Sequence, residues 1–376
     1  DYLITPEVLP YGEYSLVEVQ APYGYALDKT PVAFSVSLEN AEKENSLTIV
    51  KVEKQNTAQK GKISVRKTGD IFTSVTTVSS AYTNENGEMI VNPTTYTPVF
   101  ANGDLSGTVF QVIAVEDIVT LDGTVRANVG DVVAEITTDE NGYAETDLLY
   151  LGKYEIKEVQ APYGYVRNSE SQFVELTYAG QEIAVLDTVN ASFVNDYQSV
   201  EISLSKVMEN DELFGIGNNN EYLSVRFGLF AAEDIQAADG TVIPADGLIS
   251  EISLDENMTA VIAEKIPFGK YYVQEIATDE HYVLNGEKYL VNFEYMGQDI
   301  QNVDIDCGQF VNLLKRGRIE GHKVDDKSEP LENAVFGLFR IDCTEFVESN
   351  AIMTAISDEN GYFEFDDVPY GEYVVR

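Results

Sequence analysis

Three lysines, Lys67, Lys206 and Lys323, each close a run of alternating residues (ISVRK, ISLSK, IEGHK), and each follows an asparagine by 11 positions: Asn56, Asn195 and Asn312. Three glutamates end a second register. In it a Gly is followed at every other position by Tyr, an aliphatic residue and Glu: Gly12, Tyr14, Leu16, Glu18; Gly152, Tyr154, Ile156, Glu158; Gly269, Tyr271, Val273, Glu275. A period of two puts these side chains on one face of a strand. The carboxyl therefore points the way the core residues point, where an unpaired charge is expensive. Recurring amine, amide and carboxyl groups in fixed registers read as a buried polar network, as strand-end surface residues that happen to recur, or as partners in a reaction. Residue types alone leave these three open.

The elements that carry these groups form a repeat. Four segments share one pattern: Leu9 to Tyr25 (LPYGEYSLVEVQAPYGY), Leu149 to Tyr165 (LYLGKYEIKEVQAPYGY), Ile266 to Tyr282 (IPFGKYYVQEIATDEHY) and Val368 to Arg376 (VPYGEYVVR). A further mark is an aromatic residue upstream of each box: Phe110 and Phe227 precede the Gly of the next box by 42 residues, and Phe336 precedes Gly371 by 35. The first connection varies, being 43 residues from Lys67 to Phe110, 21 from Lys206 to Phe227 and 13 from Lys323 to Phe336. Each Lys opens a domain and each Asn closes the one before. The expected domains are residues 1–60 (the end of a unit), 61–199 (whole, with an insertion at about 72–104), 200–315 (whole) and 316–376 (the start of a unit). Alternating runs separated by turn signals such as Glu85-Asn86-Gly87, Glu140-Asn141-Gly142 and Glu359-Asn360-Gly361 predict an all-β chain with tight primed hairpin turns. Helical periodicity is confined to short turns around Ala114 to Ile118 and Ala231 to Ile235. The linkers are short and free of Gly or Ser runs, which predicts a semi-rigid rod of β-sandwiches.

Composition sets bounds on partners. At 376 residues the chain suits three or four domains, and its 64 Asp and Glu against 24 Lys and Arg give a formal charge of −40. Such a surface repels phosphate backbones and anionic headgroups, so nucleic acid and membrane surfaces are poor partners. With 44% hydrophobic and 11% aromatic residues the chain should fold nonetheless. No run is long and apolar enough to span a bilayer, and any signal or anchoring segment is expected outside this stretch. Cys307 and Cys343 fall in different domains and read as two ordinary buried thiols rather than a disulfide.

The segment GxYxLxExxAPxGY, at 12 to 25 and nearly so at 152 to 165, closely resembles the E-box of SpaA and Cna B-type repeats in Gram-positive surface adhesins and pilins. That resemblance implies tandem prealbumin-like, Ig-like β-sandwiches, each with a Lys to Asn isopeptide bond promoted by the box Glu. Carried over residue by residue, it implies Lys67, Glu158 and Asn195 in one domain and Lys206, Glu275 and Asn312 in the next. Asn56 with Glu18, and Lys323, are half-sites; the third box departs from the pattern by ending ATDEHY, and Asn56 sits in VEKQN instead of FVN. The chemistry agrees with the resemblance. Attack on a carboxamide needs a neutral amine, burial lowers a lysine pKa, and a neutral carboxyl can move the proton as ammonia leaves.

The remaining candidates read as structure. Lys51, five residues before Asn56, reads as solvated. The acidic turns at 139–142 and 358–361 lack the ligand pattern of a calcium loop. His281 and His322 have no Cys or Ser partners at motif spacing, so no metal, cofactor or turnover on external substrates is expected. The function expected is a structural stalk or shaft of a bacterial cell-surface, cell-wall-associated protein, its partners being neighbouring repeats and like subunits in a fibre. The rival is an adhesin module that holds a host protein or glycan through the 72–104 insertion. An acidic-pair glycosidase rests on nothing specific in the sequence.

Overall fold

The computed structural model describes residues 3–5, 7–37, 39, 42–44, 47–83 and 89–376; the Glu85-Asn86-Gly87 turn lies outside them. Strands supply nearly all regular structure. Among the described residues the only helical turns are short 3-10 segments, Glu221–Ser224 and Glu348–Asn350, and the stretches after Ala114 and Ala231 are simple bends. No helix among these residues is long and apolar enough to cross a membrane. The chain forms two compact units: Asp1–Asp70, Asn102–Tyr197 and Gly297–Asp299 in one, Ile71–Ala101, Gln198–Met296 and Ile300–Arg376 in the other.

The first unit holds a complete β-sandwich. One sheet orders Val132–Thr137, Val109–Ala114, Gly152–Gln160 and Gln172–Leu176; the facing layer pairs Tyr143–Glu145 and Val189–Asn195 with Ile63–Val78. The last strand runs parallel to the first, with Phe193 opposite Lys67 and Asn195 opposite Gly69. Alternation does the sorting: Ile63, Val65 and Lys67 face inward, as do Ala191, Phe193 and Asn195, and Tyr154, Ile156 and Glu158. Strand pairing makes the constant Phe-to-box spacing intelligible, because Phe110 lies directly opposite Glu158. Upstream, Gly12–Leu16 pairs with Val32–Val36, and Tyr14 stacks on Phe34 at 5.7 Å.

The second unit repeats the sandwich. Leu248–Ser253, Arg226–Ala231, Gly269–Ala277 and Tyr289–Phe293 pair in that order, and Thr259–Ile262 and Asn302–Asn312 flank Ser199–Met208. The same parallel register recurs, with Phe310 opposite Lys206 and Asn312 opposite Met208, and Phe227 again faces Glu275. Residues 316–376 add a two-stranded and a three-stranded sheet. Their core includes Leu338, Phe365 and Val368 together with Phe214 and Ile216.

The insertion of the sandwich around Lys67 was expected at about 72–104; residues 71–101 belong to the second unit as a two-stranded arm, and residues 102–104 to the first. The Phe72 and Thr73 carbonyls accept from the Ala238 and Asp239 amides at 3.2 and 3.1 Å, and the Val75 amide donates to Thr241 Oγ1 at 2.8 Å. Lys265 Nζ lies 4.9 Å from the centre of the Phe100 ring. Cys307 and Cys343 are free thiols, but half-buried where full burial was expected, because Cys307 leads into the turn at Gly308 and Cys343 sits in a surface loop.

Candidate functional site: two buried lysine, glutamate and asparagine clusters

Each site is assembled by three strands that bring inward-facing positions to one point. In the first unit Lys67 Nζ donates to Glu158 Oε2 at 2.7 Å and to Asn195 Oδ1, while Asn195 Nδ2 donates to Glu158 Oε1 at 2.6 Å. In the second, Lys206 Nζ lies 2.7 Å from Glu275 Oε1 and donates to Asn312 Oδ1 at 2.6 Å; Asn312 Nδ2 donates to both Glu275 oxygens at 2.9 and 3.0 Å. Lysine and glutamate side chains are fully buried in both. One carboxylate thus bridges the amine and the amide nitrogen of the same asparagine. Aromatic rings enclose the amines: Phe110 and Phe193 stand 5.9 and 5.8 Å from Lys67 Nζ, and Phe227 stands 5.7 Å from Lys206 Nζ. Desolvation pushes both lysines below their ordinary pKa of 10.5, outweighing the glutamate bonds that pull the other way.

Several supporting residues escaped the sequence reading. The tyrosine that closes the second and third boxes is a seal: Tyr165 donates to the Asp70 carbonyl and Tyr282 to the Glu209 carbonyl, each three residues past the lysine. Burial pushes both phenols up to about 12. Thr278, where the other boxes carry Ala, accepts from Asn312 Nδ2 at 2.8 Å, so the ATDEHY departure adds a hydroxyl to the site. Alignment of the boxes was the available signal for both.

The lysine strand is also pinned by a turn. The amides of Lys67, Lys206 and Lys323 donate to the carbonyls of Gly142, Met258 and Gly361 at 2.7, 2.8 and 2.7 Å. These residues end the sequences Asp139 to Gly142, Asp255 to Met258 and Asp358 to Gly361. In each, the leading Asp Oδ1 accepts two amides of its own turn, from Asn141 and Tyr143, from Asn257 and Thr259, or from Asn360 and Tyr362. At Asn141-Gly142 and Asn360-Gly361 the primed turns expected of Asn-Gly are not formed. Only the final residue takes a left-handed φ, +66° at Gly142, +72° at Gly361 and +59° at Met258, because the Asp side chain holds the preceding Asn in place. A methionine pays steric strain there. Met258→Gly should stabilise the sandwich of the second unit by about 1 kcal/mol, read as a raised denaturant midpoint at unchanged slope.

The half-sites differ. Asn56 Nδ2 donates to both Glu18 oxygens at 2.8 Å, and Glu18 Oε2 also accepts the Asp28 amide at 3.0 Å, as Glu275 Oε2 accepts that of Asn285 at 2.7 Å. Glu18 and Asn56 are half-buried, and Leu16 is 40% exposed where Ile156 is fully buried. Lys323 is half-buried and shares the backbone contacts of Lys67: its carbonyl accepts from Leu331 as that of Lys67 does from Leu105. Lys51 is exposed. Among the described residues no group of three or more His, Cys, Asp or Glu could hold a metal ion.

The model of the SpaA prealbumin-like fold domain matches residues 3–53, 100–190 and 317–376, more than half of the chain. The chain is similar to the TIE protein of Bacillus anthracis, at 18% identity over 99% of this chain and 70% of that one, with a TM-score of 0.53, which establishes the shared fold. It is also similar, with lower scores, to the major pilin subunit BcpA of Bacillus cereus (16% identity, 84% and 87% covered, TM-score 0.31) and the shaft pilin SpaA of Lactobacillus rhamnosus GG (12%, 68% and 98%, 0.22). No curated protein matches the sequence.

Proposed function

This chain belongs to the SpaA family of prealbumin-like fold domains, and from that premise and the two buried clusters we propose that it is a structural stalk of a bacterial surface protein, its sandwiches closed by Lys67–Asn195 and Lys206–Asn312 isopeptide bonds. The single observation that carries this reading is the carboxylate of Glu158 or Glu275, which touches both the amine and the departing amide nitrogen. Neutral Lys Nζ attacks Asn Cγ, the Cγ–Nδ2 bond breaks, and the glutamate moves a proton from the amine to Nδ2 so that ammonia leaves. One secondary amide and one ammonia replace one amine and one primary amide. The reaction runs once per domain and needs no cofactor.

The domain limits 1–60, 61–199, 200–315 and 316–376 belong to the same proposal, as does display at the cell surface. Like subunits in a fibre are the partners such a stalk would meet. The rival role for residues 72–104, capture of a host protein or glycan, is less well supported, because the arm already engages Ala238, Asp239, Thr241 and Lys265.

Intact mass tests the bonds. The chain should be lighter than its sequence by two ammonia molecules, with digestion releasing peptides that join Lys67 to Asn195 and Lys206 to Asn312. An unmodified mass overturns the cross-links and leaves family and fold standing. In freshly translated chain the loss of ammonia should accelerate as pH rises and level off below pH 10.5, since burial favours the neutral amine.

A further inference from the structure

Two linkers share one set of parts. Gln59 and Gln198, three residues after Asn56 and Asn195, are each 1% exposed. Gln59 Nε2 donates to the Gly180 carbonyl at 3.0 Å and to that of Ile183, and its Oε1 accepts the Ala179 amide at 2.9 Å. Gln198 holds the equivalent Ile300 carbonyl at 2.6 Å and the Met296 amide at 2.8 Å. The loops so held read AGQEI and MGQDI. Their central glutamines then meet the tail of a preceding box. Gln181 Oε1 accepts the Ala21 amide at 2.9 Å and its carbonyl accepts that of Leu27 at 2.7 Å; Gln298 accepts from Ala161 and Arg167 at 2.8 and 2.8 Å. The acid that follows pairs with a base: Lys29 with Glu182 at 3.0 Å, Arg167 with Asp299 at 2.8 Å.

The third copy changes all of this together. Asn312 is followed by Leu313, Leu314 and Lys315, without the Gln, and its box ends ATDEHY without the Ala-Pro-Tyr-Gly-Tyr tail. Charge replaces amide there: Glu209 accepts the Leu314 amide at 2.8 Å and pairs with Arg316 at 2.8 Å, which also reaches Asp211 at 3.0 Å.

We propose that Asn56-x-x-Gln59, Gly180-Gln181-Glu182 and Ala21-Pro22-x-Gly24-Tyr25 form one docking code within the first unit, in which the linker Gln orders a loop of the sandwich that follows it so that the loop grips the tail of the box before. Gln59 is a positioning residue, since its side chain touches the loop and not the tail, and the bond from its backbone amide to the Gly24 carbonyl at 2.8 Å stays intact when the side chain is removed. The partner the surface fits is a preceding sandwich with that tail and a basic residue within four positions of its closing Tyr. The proposal does not depend on whether the isopeptide bonds form.

Hydrogen exchange on the full chain tests it. Gln59→Ala should speed exchange of the Ala21 and Leu27 amides by about tenfold or more, although Gln59 bonds to neither, while core amides such as Val65 and Val112 stay protected. Faster exchange at Ala179 alone, with Ala21 and Leu27 unchanged, overturns the proposal. If Gln59→Ala does not fold, Gln181→Ala serves: it removes the acceptor of Ala21 only, so joint opening of Ala21 and Leu27 supports a docked unit, and opening of Ala21 alone overturns it.

Discussion

The variant Lys67→Met with Glu158→Gln should unfold its sandwich about 15 °C below the native chain, while the sandwich around Lys206 keeps its transition. The argument is one of chain entropy. A bond from Lys67 to Asn195 closes a loop whose ends are 128 positions apart, and a tie across a loop on the order of 100 residues lowers the entropy of the unfolded chain by about 5 kcal/mol. A few degrees per kcal/mol for a domain of this size gives the stated shift. Using two substitutions removes a competing effect. Glu158→Gln alone also abolishes the proton relay, but it strands a buried amine without its carboxylate, which costs about 3–5 kcal/mol more. The single variant should therefore melt below the double one, and the gap between the double variant and the native chain measures the tie. If the double variant melts within a few degrees of the native chain, no covalent tie holds the sandwich.

Much of this was legible in the residues, for a physical reason. A strand's period of two is written directly in the sequence, so the inward register of Tyr154, Ile156 and Glu158 could be read without a structure, whereas the burial of Lys67 and Asn195 was implied only by the family resemblance. What could not be read is pairing at a distance. Nothing local in SFVN says that Phe193 lies parallel to and opposite Lys67, because register between the first and last strands is fixed by packing of the whole core. The turn at Asp139 shows a different limit. The Asn-Gly pair pointed to a primed hairpin, but the Asp two positions before Asn141 captured two backbone amides and won. The arm at 71–101 shows a third limit: spacing identified it as extra chain, yet its unit was set by bonds to Ala238, Asp239 and Thr241, far away in sequence. The half-site at Glu18 and Asn56 was legible as a pair but not as a geometry, and its carboxylate turns out to hold the amide nitrogen much as Glu275 does.

Phe227→Ala should slow ammonia loss at Lys206 by about tenfold or more while leaving that at Lys67 at the native rate, so that early in the reaction the chain has lost one ammonia instead of two. Phe227 is fully buried, sits opposite Glu275 in the ladder, and packs edge-on to Phe310 at 4.8 Å. Two effects of the ring on the amine compete. Its face attracts an ammonium by up to about 2 kcal/mol, which favours the unreactive charged form. Its bulk excludes water, which favours the neutral form, and burial holds the Lys206 pKa below its ordinary value against the pull of Glu275. Truncation to Ala opens a cavity, costs about 3–5 kcal/mol of stability, and lets water reach the amine. Each pKa unit regained then removes about nine-tenths of the neutral amine, and the reaction slows in proportion. Phe227→Leu separates dryness from aromaticity. It keeps most of the apolar volume and gives up the ring's attraction for charge, so it should form the bond at a rate close to native. If Phe227→Ala folds and still loses two ammonia molecules at the native rate, desolvation is not what activates Lys206, and the bridging carboxylate of Glu275 must suffice by itself.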